Sequence, residues 1–234
     1  SAYRIDCARY LSFFSQSLCC HFLPGDISEI PQVPALLKSR PITQDHSNTY
    51  SCLLKLNAIR HFNFINDTLA FSSKISKIVW RGAAYQPQRK FFLRTFSDHY
   101  LMNVGQVNQV GTKTYKPEMS ISEQLKYKFI LCIEGNDVAS SLKWVMSSQS
   151  LCFMTKPKYE TWFMEATLVP GVHYVEVKDD YSDLEEKIIY YSNHLDEAEI
   201  IVQRASLYCQ QFMNKSEEDL INFLVLEKFF HFSG

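Results

Sequence analysis

One stretch, residues 126–154, limits the fold more than any other: KYKFILCIEGNDVASSLKWVMSSQSLCFM. A continuous apolar run at 129–133 stops abruptly at Glu134, Gly135, Asn136 and Asp137. A helix-like segment follows, then a second apolar run. Short apolar runs bounded by turn residues fit strands buried on both faces. The stretch therefore reads strand, tight loop, helix, strand, and two strands joined through a helix lie parallel with a right-handed crossover.

The same alternation holds from residue 74 onward. The spacing predicts strands in KIVWRGAA, YLMNVGQV, 128–133, 150–154 and 173–178. It predicts helices in QPQRKFFLRTFS, ISEQLKYK, 138–148, 159–166, the SDLEEKIIYYSNH run, DEAEIIVQRASLYCQQFM and 216–231. Ser120 or Ser122 would cap the second of these helices, and Ser182 with Glu185 has the spacing of a capping box. The expected architecture is α/β with a mostly parallel, Rossmann-type sheet.

Residues 1–73 read differently. CARYLSFFSQSL predicts a short helix, and Pro24, Pro31, Pro34 and Pro41 punctuate an ordered but non-regular crossing segment. QDHSNTYS reads as a polar loop, and LLKLNAIRHFNF fits a strand or a short helix. The expected division is an N-terminal region 1–73, a nucleotide-binding domain 74–215 and a terminal helix 216–234 that packs back.

Apolar residues make up 46% of the 234 and charged residues 21%, enough for a packed core and against global disorder. A net charge of −1 disfavours a non-specific nucleic-acid binder. Seven cysteines with no CxxC pair fit reduced thiols in a reducing compartment. No apolar run reaches membrane-spanning length, and the start at Ser1 lacks the pattern of a signal peptide.

Ligands of parallel sheets bind at the carboxyl ends of strands, which makes three loops candidates. Arg81, Gly82 and Arg89 suit a diphosphate, or a surface ion pair and a solvated arginine. Gly135, Asn136, Ser140, Ser141 and Lys143 suit an anion at a helix start, or a simple cap at Asn136 or Asp137. Glu160 and Glu165 near a helix start, with His173 at a strand start, suit sugar hydroxyls, or an exposed helix face and an edge histidine. His61 beside Arg60 could meet phosphate or be structural. Asp26, just after Gly25, is a carboxylate in a rigid segment, or an Asx-turn residue. GxSxG, HExxH and DxD are absent, which leaves a nucleophile elbow and a dedicated metal site without support.

Taken in order, VPALLKSRPI, KIVWRGAAYQPQR, the 126–154 stretch and YETWFMEATLVPGVHYVEVKDDYSDLEEKI resemble glycosyltransferase family 90, most closely its bacterial lipopolysaccharide or lipooligosaccharide core branch. The resemblance covers roughly residues 20–230. It implies a GT-B-like fold with a reduced N-terminal acceptor side, and an inverting, metal-independent hexosyl transfer, glucose or galactose, from a UDP-sugar co-substrate to a glycan or glycolipid acceptor. By motif, Asp26 is the base, and Arg81, Gly82, Arg89, Gly135, Asn136, Ser140, Ser141, Lys143, Glu160 and His173 lie on the donor side. Lys38, Arg40, Arg60 and His61, with Lys55, are acceptor-side candidates. Where eukaryotic members carry Ser-x-Arg-x-Lys, this chain has Ala139, Ser141 and Lys143, keeping the lysine. A cytoplasmic enzyme with peripheral contact at the inner membrane is implied. The alternative is a non-catalytic nucleotide-sugar binder.

Overall fold

The structure, a computed structural model, describes residues 1–44 and 48–233. The expected QDHSNTYS loop falls partly on 45–47, outside the described residues. Helix α1 (Ala2–Leu11) opens the chain, several residues earlier than expected. Strands β1 (His21–Leu23), β2 (Ala35–Leu37), β3 (Ser39–Pro41) and β4 (Ser51–Leu53) follow, then helix α2 (Ala58–His61). The proline-rich segment is thus more regular than expected: β1, β2 and β4 form a three-stranded parallel sheet. Pro24, Pro31 and Pro34 lie between its strands. Three-residue strands are too short to show a two-residue period, so the sequence pattern cannot expose them. LLKLNAIRHFNF divides its character, leaving the end of β4 and forming α2.

The regular half contains β5 (Ile75–Gly82), α3 (Pro87–Phe96), β6 (Met102–Gln106), α4 (Ile121–Gln124), β7 (Tyr127–Cys132), α5 (Leu142–Met146), β8 (Leu151–Thr155), β9 (Tyr159–Thr161) and β10 (Val175–Val177). Helices α6 (Leu184–Asn193), α7 (Leu195–Gln210) and α8 (Lys215–Ser233) close the chain. Five strands make one parallel sheet in the order β10-β8-β7-β5-β6. Chain order runs from β5 out to the edge strand β6, then back across through β7, β8 and β10. The direction reverses between β5 and β7, and the carboxyl ends of those two strands define the ligand crevice of such a sheet.

Both faces of the sheet are covered, which is why its strands read as unbroken apolar runs. Val79, Ile130, Cys132, Cys152 and Met154 face one core, shared with Tyr10, Leu36 and Leu54 of the N-terminal region and with Leu226 of α8. Ile78, Trp80, Phe129, Leu131 and Phe153 face the other, with Phe92 of α3 and Ile188 of α6. Helix α8 lies against α1: Tyr10 donates to Asp219 at 2.9 Å, Arg9 pairs with the same carboxylate, and Phe223 meets Phe13 edge-on. Lys55, an expected acceptor contact, pairs instead with Glu218 of α8 at 2.8 Å.

Three other expectations are corrected. The helix expected at 138–148 is only α5, because 134–141 stays an open loop tied down by long-range contacts. The helix expected at 159–166 is β9 followed by a 3-10 turn, Glu165–Thr167. Antiparallel pairing of β9 with β3, Arg40 opposite Glu160, overrides the helical spacing. The capping box at Ser182 does not form; Asp183 precedes α6 and its carboxylate accepts from the Lys178 N–H. The box at Ser120 does form, with Glu123.

Candidate active site

The crevice between β5 and β7 is closed by an internal stack. Arg89, in the first turns of α3, donates Nε to Glu134 O at 3.1 Å, Nη1 to Ala83 O at 3.0 Å and Nη2 to Ile133 O at 2.8 Å. One guanidinium thereby ties the loop after β5 to the loop after β7. Its plane lies over the Trp80 ring, 5.7 Å from the centroid. Gly82 leaves room for that ring, since a Cβ there would stand 2.8 Å from Trp80 Cζ2. Gly135 leaves room for the guanidinium, 3.3 Å from where its Cβ would be. The glycines and Arg89 therefore build the crevice, and three of the N–H groups expected to meet a diphosphate are engaged with main chain.

Arg81 is likewise engaged. It donates to Pro117 O at 3.0 Å, Trp80 O at 2.9 Å, Asn103 O at 2.8 Å and Asn103 Oδ1 at 2.8 Å, bracing β5 against β6 on the side away from β7.

Asp26 enters from the N-terminal region. Lys38, at the junction of β2 and β3 and 1% exposed, places its Nζ 2.7 Å from Asp26 Oδ1 and 2.6 Å from Asp137 Oδ2. Ser39 donates to the same Asp137 oxygen at 2.5 Å. Asn136 Nδ2 donates to Asp26 Oδ2 at 3.3 Å and accepts from Gln86 at 3.0 Å. Tyr3 donates to Asp26 at 3.4 Å. The Asp26 carboxylate thus touches the loop after β7 while its side chain keeps 30% exposure. Burial pushes its pKa up, but the hydrogen bond and charge of Lys38, then Asn136 and Arg60, outweigh that and hold it below the usual carboxylate value. The group is ionised at neutral pH and open to solvent on one side.

Lys38, an expected acceptor-side residue, is thus a buried partner of Asp26. Arg40 also differs: it pairs with Glu160 at 2.7 Å and donates to Ser51 O at 2.9 Å. That pair occupies the Glu160 carboxylate, which is 6% exposed. His61 is buried, and neither ring nitrogen has a hydrogen-bond partner among the described residues. Burial, then the charges of Lys38, Lys143 and Arg60, push its pKa down to about 3, so it is neutral. Arg60 is exposed beside it.

Lys143 is fully buried and pairs with Glu165 at 2.5 Å. Ser141 points its hydroxyl at Cys132 Sγ, 3.5 Å away, while Ser140 is half-buried in the loop. With α5 only five residues long, the expected helix-start anion site is not formed. His173 precedes β10, so it lies at the amino ends of the strands, the edge opposite the crevice; its ring accepts from the Val169 N–H and packs on Tyr208.

A cavity of about 350 Å³ opens beside Asn136, lined by Glu134, Gly135, Lys158, Tyr159, Asp179 and Tyr181 at the carboxyl ends of β7, β8 and β10. Glu134 and Tyr181 carry no role in the sequence reading, although a carboxylate ending a buried strand was a usable signal. Burial pushes the Glu134 carboxyl up to about 7, against the pull of the Lys158 and Tyr159 N–H groups. Its folded pKa lies above its unfolded one, so the stability it permits below pH 4.5 is lost as pH rises through about 7. Glu134→Gln is therefore expected to stabilise the protein at pH 8 by on the order of 2 kcal/mol and to change nothing at pH 4. Thermal melts at the two pH values check this. A larger groove of about 870 Å³ lies between α8 and β4, and its Arg40 and Glu218 pair with Glu160 and Lys55.

A five-stranded parallel sheet with its crevice at the strand reversal defines a Rossmann-like α/β protein. A family model described as Glycosyl transferase family 90 matches residues 56–225. The chain is 44% identical to O-glucosyltransferase LpsA of Dichelobacter nodosus, over 98% of this chain and 72% of that protein. It is 28% identical to Protein O-glucosyltransferase 2 of Danio rerio, over 61% of this chain and 29% of that protein. It is 33% identical to Uncharacterized protein 179R of Invertebrate iridescent virus 6, over 44% of this chain and 9% of that protein. The chain belongs to glycosyltransferase family 90, a family of enzymes. No helix among the described residues is long and apolar enough to cross a membrane.

Proposed function

We propose that the chain transfers a hexose, glucose first, from a UDP-sugar to a hydroxyl of a lipopolysaccharide or lipooligosaccharide core or related glycan, with inversion and without a metal ion. The supporting observation is the ionised, half-open Asp26 carboxylate against the loop after β7. Asp26 takes the acceptor hydroxyl proton while that oxygen bonds to the anomeric carbon from the face opposite the diphosphate. The anomeric C–O bond breaks, and its electron pair leaves on UDP. The cavity beside Asn136 and Glu134 receives the nucleotide. In this GT-B-like reading residues 1–73 supply the acceptor side and the base, 74–215 the donor domain, and 216–234 the helix that joins them. The enzyme works in the cytoplasm, with contact at the inner membrane only peripheral. The glucose assignment leans on the similarity to the O-glucosyltransferase LpsA of Dichelobacter nodosus.

A second reading, a nucleotide-sugar binder without turnover, is favoured by one observation: Arg81, Arg89 and Lys143 are all engaged within the protein. Thermal melts with UDP, UDP-glucose, UDP-galactose, GDP-mannose and ADP, without metal, test the proposal. A ligand at about 100 times its Kd stabilises the fold by about 2.7 kcal/mol. UDP and UDP-glucose are expected to raise Tm selectively, and no response to any uridine nucleotide would sink both readings. Binding without release of UDP in the presence of glycan acceptors would leave the second.

A further inference from the structure

The Lys38 ammonium is shared by two carboxylates of different standing. Asp26 is partly exposed and Asp137 is buried, at 3% exposure. Both lie within 2.7 Å of Nζ, and Ser39 fixes Asp137 from the far side. We propose that Asp137 is a positioning residue for the base: by taking part of the Lys38 charge it keeps Asp26 able to accept a proton, and it fixes the lysine between the N-terminal region and the loop after β7. This rests on the reading of Asp26 as the base.

The charge balance gives the physical reason. An ammonium paired with Asp26 alone would hold that carboxylate as a weak base. With Asp137 also present, the cluster of Lys38, Asp26 and Asp137 carries a net −1 before proton transfer. Afterwards, with Asp26 neutral, Lys38 and Asp137 remain as a buried, matched ion pair. Burial of an uncompensated charge is the expensive alternative, and this arrangement avoids it in the protonated state. Asp26 also feels Tyr3 from α1, Arg60 and neutral His61 from α2, and Asn136 from the loop after β7. Among the described residues Lys38 alone bonds both carboxylates, so the sign of the effect belongs to Lys38 and Asp137.

Titration of Asp26 itself provides the test, because it needs neither donor nor acceptor. Protein labelled at aspartate carboxyl carbons is titrated by NMR, with the Asp26 signal assigned by its loss in Asp26→Asn. Asp137→Asn, which keeps the hydrogen-bonding shape, is expected to lower the proton affinity of Asp26 by about tenfold. Lys38→Met is expected to raise it by at least as much. Opposite movements are the signature, since a merely structural loss gives no such pair of signs. If Lys38→Met does not fold, Asp137→Asn alone decides. An unchanged or higher proton affinity in Asp137→Asn overturns the proposal. The pH profile of UDP release from UDP-glucose, with water as acceptor, separates the two ideas. If the NMR shifts occur and Asp26→Asn still turns over fully, the base assignment is wrong and the charge sharing stands.

Discussion

Asp26→Asn is expected to lower hexosyl transfer by about 10²–10⁴-fold and to leave UDP binding and folding intact. The argument is one of charge without change of shape. Asparagine keeps an oxygen for Lys38, and Lys38 keeps Asp137 at 2.6 Å, so the buried ammonium remains paired. What disappears is the group that receives the acceptor proton. Release of UDP from UDP-glucose in the presence of a glycan acceptor measures the loss, and thermal melts with UDP confirm that the nucleotide site is unaffected. Wild-type turnover in a normally folded Asp26→Asn protein would assign the base elsewhere.

Lys143→Met is expected to destabilise the protein by about 3–5 kcal/mol. Lys143 and Glu165 are each about 1% exposed in their side chains and 2.5 Å apart. Glu165 also accepts from the Thr161 N–H at 2.6 Å, and the ammonium lies over the Phe163 ring, 5.1 Å from its centroid. Methionine fills the same space but leaves a carboxylate buried without its cation. Pairing it with Glu165→Gln is expected to restore much of the loss, because the stranded charge is then gone. Urea unfolding of the two single variants and the double variant reads this directly. The same experiment separates a structural lysine from a nucleotide ligand. A ligand lysine would lower UDP affinity and leave the unfolding midpoint alone, and that result would overturn the assignment.

The elements and the contacts differ in how far the sequence reveals them. Strands β5, β7 and β8 and helices α3, α7 and α8 are legible because each is long enough to carry its own period or an unbroken apolar run. The location of a crevice is legible as well: Gly82 and Gly135 mark the ends of β5 and β7, and a parallel sheet binds at those ends. The motif arginines are legible as important but not for their work. Arg81 and Arg89 look like phosphate ligands until the carbonyls of Pro117, Asn103, Ala83, Ile133 and Glu134 are seen around them.

The alternation of apolar runs and amphipathic segments by itself determined the α/β class and the parallel sheet, because burial on two faces is a local property of each strand. Only the tertiary structure decided which charges meet. Ser39 and Asp137 are 98 residues apart, and Arg40 and Glu160 are 120 apart. The three-residue strands that carry Lys38 and Arg40 into place are too short to have a period of their own. They form because pairing with β1, β4 and β9 supplies the partners that their backbones require. Long-range pairing of that kind leaves no local mark in a sequence, and the Asp26 site is assembled from it.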